Sequence, residues 1–158
     1  RKFVIQGNHD MMVEDSWEYC LHGVAEYAQD KTLRVEGEVI YSNGSSYNAF
    51  QLKNWGLGYP EREVHPYVDK IPNDCTVLLT HEPAYSIGDF IPESNENIGS
   101  GPLLDRIQQL KQLKLHVFGH AHQGQGIHTH AGGAVALNAA TGWFEFDTDT
   151  GVAKEIIL

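Results

Sequence analysis

Apolar residues along this chain gather in short runs rather than long ones. "KFVIQ" (2–6), "CTVLLT" (75–80) and "KLHVF" (114–118) are each too short for a stable helix and are bounded by Gly, Pro or polar residues, so they read as strands. Between the first two, Val13, Trp17, Tyr19, Leu21, Val24 and Tyr27 recur with a roughly helical period, which predicts a helix over 13–29 that Gly23 weakens. "KTLRVEGEVIYSNGSSYNAFQL" alternates β-favouring residues with turn-forming "EGE" and "SNGSS", the pattern of an antiparallel meander. The Gly/Pro-rich "NWGLGYPEREVHPYVDKIPND" predicts a long loop with one short helix at 61–71, and its aromatics read as core. "HEPAYSIGDFIPESNENIGSG" predicts a polar loop, and "GPLLDRIQQLKQL" an amphipathic helix with Pro102 in its first turn. "GSGPLL" lacks a following Gly-Lys-Ser/Thr and reads as an ordinary helix start rather than a phosphate loop. Four short strands close the chain, "GIHTH", "GAVALN", "WFEFD" and "VAKEIIL", with "DTDTG" as a hairpin turn between the last two.

Strands alternating with helices and followed by a β-rich tail point to an α/β sandwich with mixed sheets. Ligands in open α/β sheets gather beyond the carboxyl ends of strands. Three strands here end in histidine-bearing loops: "FVIQ" in "GNHD", "TVLL" in "THEP" and "LHVF" in "GHAH". In the last, His120 and His122 are separated only by Ala121 and flanked by Gly119 and Gly124, so a tight turn can aim both imidazoles at one point.

Composition narrows the choice of partner. A chain of 158 residues supports one domain with a real core. A formal charge of −10 excludes a general nucleic-acid-binding surface and an anionic membrane surface. It leaves room for a small phosphorylated substrate, because a bound divalent cation outweighs the surface field locally. No apolar stretch approaches the ~20 residues needed to span a bilayer. With no secretory signal and two distant cysteines, Cys20 and Cys75, the expected compartment is the cytoplasm.

Imidazole, carboxylate and amide oxygen together suit borderline divalent ions such as Mn²⁺, Fe²⁺ and Zn²⁺ rather than Ca²⁺ or Mg²⁺. The three loops, in this order and each after a strand, resemble the motifs of the calcineurin-like metallophosphoesterases. "KLHVFGHAHQGQG" and "LNAATG" are most similar to the metallophosphoesterase-domain-containing subgroup. The resemblance implies an α/β fold, a sandwich of two mixed β-sheets flanked by helices but without its N-terminal strands. Residues 1–158 would then be one N-terminally incomplete domain. It further implies metal-dependent phosphoester hydrolysis of a phosphodiesterase kind, on small nucleotide-like substrates. A hydroxide bridging two divalent ions would attack phosphorus. Asn8, His81 and His120 would serve one metal and His122 the other. His9 would be the catalytic proton donor rather than a ligand.

The family pattern also holds an Asp-x-His and a Gly-Asp motif on two earlier strands, and only six residues precede Gly7. Two readings of function therefore stand side by side. One is a hydrolase whose site is completed by an N-terminal segment or a second chain. The other is an inactive metal-binding or protein-interaction module that keeps the fold. The remaining histidines read as structural: His116 packed inside its strand, His128 and His130 on one face of theirs, His22 and His65 at the surface or a hinge.

Overall fold

The computed structural model describes residues 1–11, 14–48 and 56–157. Its elements, in chain order, are β1 (Phe3–Val4), α1 (Glu14–Leu21), β2 (Glu26–Tyr27), β3 (Lys31–Val35), β4 (Glu38–Asn43), β5 (Ser46–Tyr47) and β6 (Gly58–Tyr59). A 3₁₀ turn at Val68–Lys70 leads to β7 (Val77–Thr80), then β8 (Phe90–Ile91), β9 (Glu96–Asn97) and α2 (Gly101–Gln109). β10 (Leu115–Phe118), β11 (Gly126–Thr129), β12 (Val135–Asn138), β13 (Trp143–Asp147) and β14 (Val152–Ile156) complete the chain.

Among the described residues the main sheet has six strands, in the order β11-β12-β10-β7-β4-β3. Its centre is parallel, with β10 pairing both β12 and β7, and β7 pairing β4. Both edges are antiparallel, β11 on β12 and β3 on β4. Central parallel strands are covered on both faces, which is why "TVLLT" and "LHVF" read as continuous apolar runs.

Alternation along each strand divides the core in two. Tyr41 and Leu78 face the helix side, where Leu103, Ile107 and Leu110 pack with Tyr67, Ile71 and Cys75. Ile40, Val77, Leu79, Leu115, Val117 and Leu137 face the other way, against Phe144, Phe146 and Ala153 of the β13–β14 hairpin. α2 forms as its sequence dictates. The Ser100 hydroxyl accepts the Leu103 amide at 3.0 Å, Pro102 sits in the first turn, and Leu103 and Ile107 bury one stripe. The hairpin turn closes on Asp147, whose Oδ1 accepts the amides of Asp149 and Thr150 at 2.9 Å each.

The structure departs from the periodicity in three places. The helix expected over 13–29 stops at Leu21, because Gly23 turns left-handed (φ 73) and residues 26–27 pair in parallel with β1. Trp17 of α1 stacks on Tyr27 at 5.8 Å, so an apolar pattern that looks continuous is shared between a helix and a strand. The expected meander is one hairpin, β3–β4, turning through Glu36 and Gly37, both at positive φ. β5 instead pairs in parallel with β6, and the remainder of that stretch, 49–52, lies outside the described residues, as does Trp55. The helix expected at 61–71 reduces to the 3₁₀ turn, since Pro66 removes a helical donor inside it. The polar loop 81–101 carries one small antiparallel pair, β8–β9.

Leu103 is fully buried at the centre of the helix-side cluster. Leu103→Ala is expected to destabilise the fold by about 2–5 kcal/mol, read as a lowered urea midpoint.

Candidate metal centre

The parallel register Leu115↔Val77, His116↔Leu78, Val117↔Leu79 sets the ends of β7 and β10 side by side. Backbone bonds continue the alignment past both strands: the His81 amide donates to Asn43 O at 3.2 Å, and the Gly119 amide to His81 O at 3.1 Å. His81 and His120 therefore emerge from one edge of the sheet. His120 does so at φ 63, a left-handed conformation uncommon for a residue with a side chain.

The third loop arrives from β1. Gly7-Asn8-His9-Asp10 is a turn closed at both ends: the Asp10 amide donates to Gly7 O at 3.1 Å, and the Gly7 amide to Asp10 Oδ2 at 2.8 Å. Gln6 ties the turn to β2, donating to Asp10 O while its Oε1 accepts the Tyr27 hydroxyl at 2.7 Å. Gly7 lies flat against the His81 ring, where a Cβ would stand 2.7 Å from Cε1. That close approach explains the glycine.

These three loops bring Asn8, His81 and His120 together. Asn8 Oδ1 lies 2.7 Å from His81 Nε2, and His120 Nδ1 lies 3.1 Å from the same nitrogen, with the two rings edge to face. Donors bound to one ion at about 2.0–2.1 Å stand roughly 3.0–3.4 Å apart, so the spacing is close to that of a shared coordination shell. The set is two neutral-ligand imidazoles and one amide oxygen. Among the described residues, no group of three or more His, Cys, Asp or Glu side chains is arranged to hold an ion by itself. His9 and His122 are exposed and close enough to act electrostatically on the pair.

Burial is the main cause that pushes His81 down to about 3 and His120 down to about 4, with the neighbouring imidazoles adding to it. Both rings are neutral at pH 7, the form that offers a nitrogen lone pair. Beside them opens a cleft of about 410 Å³. Its apolar wall is Phe3, Ile5, Leu79 and Val117, and its polar end includes Asn8 and His81.

Two buried networks hold the His81 loop, and the sequence reading missed both. Glu82 is buried beside His81, and its carboxylate accepts the Tyr59 hydroxyl, which in turn lies 2.8 Å from His65 Nε2. Burial raises the Glu82 carboxyl to about 7 and lowers His65 to about 4. His65 is thus a buried packing residue and not a surface or hinge one. The second network runs through Thr80. Its hydroxyl donates to Glu82 O at 2.6 Å, so it must accept from His116 Nε2–H at 2.8 Å. That leaves His116 Nδ1 as an acceptor, and His130 Nε2–H donates to it at 3.1 Å. His116 is fully buried, as its apolar strand implies. His128 Nε2 donates to Gly124 O, and neither His128 nor His130 lines the cleft.

The calcineurin-like phosphoesterase family model matches residues 1–124, a span that contains all three loops. The chain belongs to this family. It is 34% identical over 104 residues to human "Metallophosphoesterase domain-containing protein 1", a match covering 64% of this chain and 30% of the relative. It is 32% identical over 157 residues to a UPF0046 protein of Caenorhabditis elegans, covering 88% of this chain and 55% of the relative. The chain thus spans about a third to a half of the length of these curated relatives. A solved structure that is 18% identical superposes with a TM-score of 0.74 over 98% of this chain and 64% of its own, which places the fold. The mixed-sheet α/β metallophosphoesterase architecture expected from the sequence is the one observed. Among the described residues, no helix is long and apolar enough to cross a membrane.

Two outcomes follow from this geometry. His65, His81, His120 and His130 all have folded-state values near 3–4, below the ordinary ~6.5 of an unfolded histidine. The unfolded chain therefore binds more protons between pH 6.5 and 4, and stability is lost as pH falls through that window. Glu82 acts in the opposite sense, its contribution being lost as pH rises through about 7, but it is one group against these four and His116, which burial also lowers. Urea midpoints of the metal-free protein should drop steeply from pH 7 to pH 5; equal midpoints would contradict the buried, neutral state of these rings. Gly7→Ala should displace the His81 ring, shifting its imidazole NMR signals while the methyl signals of Leu103 and Ile107 stay in place.

Proposed function

We propose that the protein of which this chain is part is a metal-dependent phosphoester hydrolase, acting as a phosphodiesterase on small nucleotide-like substrates. The observation that carries this reading is the approach of Asn8 Oδ1 and His120 Nδ1 to His81 Nε2, at 2.7 and 3.1 Å. Those three donors would hold one divalent ion, of the Mn²⁺, Fe²⁺ or Zn²⁺ class, and His122 would contribute to a second. When bound, the cations supply Lewis acidity and charge neutralisation at the phosphoryl oxygens.

The residues of this chain do the rest by placement. Asn8 is buried within a turn that the Gly7 amide closes on Asp10, and its amide oxygen already faces His81 Nε2 at 2.7 Å. His81 and His120 are kept neutral by their surroundings. His9 follows Asn8 but is exposed, which suits a group that reaches the substrate rather than the ion. Imidazole can hold a proton for a departing alkoxide near neutral pH. The apolar wall of Phe3, Ile5, Leu79 and Val117 excludes water on one side of the site.

No carboxylate belongs to the converging set, and the family pattern places its carboxylates on earlier strands. The reading therefore assigns them to polypeptide beyond these residues or to a second chain. Among the described residues β1 pairs on one edge only, with β2, and Phe3 and Ile5 border the cleft there, which is where added strands would lie.

Metal analysis after dialysis against Mn²⁺, with hydrolysis of bis(p-nitrophenyl) phosphate and p-nitrophenyl phosphate by the longer protein, tests the reading. Bound manganese is expected, with loss on substituting Asn8, His81 or His120 by Ala. His9→Ala should cut kcat by roughly 10²–10⁴ with metal content unchanged. Manganese binding without hydrolysis of either ester would favour the inactive metal-binding module, and a metal-free protein under excess Mn²⁺ would sink the hydrolase and leave the protein-interaction module.

A further inference from the structure

We infer that Asn138 is the positioning residue of the His120-Ala121-His122 turn, clamping it to the loop that follows His81. The inference deepens the metal-site reading and adds a residue that touches neither ion nor substrate.

Asn138 ends β12 and is fully buried. The parallel register Phe118↔Asn138 brings it level with the last residue of β10, two positions before His120. Both hydrogens of its side-chain amide are used: Nδ2 donates to Ala121 O at 2.7 Å and to Gly88 O at 2.8 Å. Its Oδ1 accepts the Ala140 amide at 3.0 Å. Only a primary amide meets this set, with two donors for two carbonyls and one acceptor for an N–H. A carboxylate would face both carbonyls with negative charge, and an apolar side chain would take a donor from each, leaving Ala121 O with the Gly124 amide at 3.1 Å.

The turn has reason to need a clamp. His120 sits at φ 63, a conformation that is strained for a residue with a Cβ and persists only where neighbours enforce it. The Ala121 amide folds back onto Gly119 O at 2.7 Å, tightening the same three residues. Across from it, Gly88 and Gly124 are pressed together so closely that a Cβ on Gly124 would stand 1.9 Å from Gly88 O. Asn138 joins these two loops through one side chain. Loop 81–89 carries His81 at its start, and loop 119–124 carries His120. Holding the two carbonyls fixes the angle at which His120 Nδ1 meets His81 Nε2. Residues behind the ligands of metal sites commonly set affinity in this way, by about 10–100-fold.

The test compares Asn138→Ala and Asn138→Asp with Leu115→Ala, a buried substitution in the cluster under the β13–β14 hairpin, at the end of β10 opposite the loops. Asn138→Ser, which keeps one donor, serves if the alanine variant does not fold. Cobalt(II) titration followed by visible absorption reads affinity and coordination geometry without activity. The expected result is a 10-fold or greater loss of affinity with an altered band for the Asn138 variants. Leu115→Ala should keep both, despite a comparable loss of thermal stability. Unchanged affinity and band in a folded Asn138 variant would overturn the inference, as would an equal loss in Leu115→Ala. Amide hydrogen exchange of the metal-free proteins provides the arm that is independent of metal. Faster exchange confined to the amides of Ala121 and Gly124, with Val117 and Phe118 still protected, supports the clamp; uniform or absent change overturns it. A wild-type protein that takes up no cobalt would refute the metal reading and leave the clamp to be decided by exchange alone.

Discussion

The structure depends on the parallel pairing of β7 with β10. Parallel strands end at the same edge of a sheet, and their register decides which residues leave that edge together. Here Val117 opposite Leu79 leaves His81 and Gly119 bonded through their backbones, and His120 follows directly. A slip of one residue would turn every side chain to the opposite face. It would carry Leu78 out of the helix-side cluster and break the approach of the two imidazoles at once. Core packing and the candidate site are therefore fixed by the same choice of register.

The environment behind that edge is unusually rich in buried polar groups. His116, His130, Thr80 and Glu82 form a chain whose donor directions follow one from another, ending on the carbonyl next to His81. Tyr59 and His65 hold the Glu82 side chain from another direction. Each buried polar group left unpaired would cost free energy, so these networks tolerate few alternative arrangements. They give the loop rigidity that apolar packing alone would not. Low-dielectric surroundings also keep the histidines neutral, which ties local stability to the state that can bind a cation.

Much of the site was legible because its signals are local. Gly-Asn-His-Asp, Thr-His-Glu-Pro and Gly-His-Ala-His each follow a short apolar run, and short apolar runs ending in glycine or a polar residue become strand ends for reasons visible in the chain. α2 was legible for the same reason, with Ser100, Pro102 and the Leu103–Ile107 spacing all within one helix. Long-range pairings were not. Nothing near Glu26 announces that it leaves a helical pattern to pair with β1, and nothing near Ser46 announces a parallel partner at Gly58. His65 looks like a loop residue until Tyr59 and Glu82 close around it. Asn138 looks like the polar end of an apolar strand until two carbonyls from distant loops meet its amide.

The sequence by itself determined the strand ends, the residue types offered there and the family to which they belong, because turn chemistry and hydrophobic period act over a few neighbouring residues. Tertiary structure decided that Asn8, His81 and His120 share one point while His9 and His122 stay at its exposed rim. It also decided which buried groups hold them there. Those outcomes come from register and loop closure between segments 39 and 73 residues apart, and distances of that kind are set only when the sheet assembles.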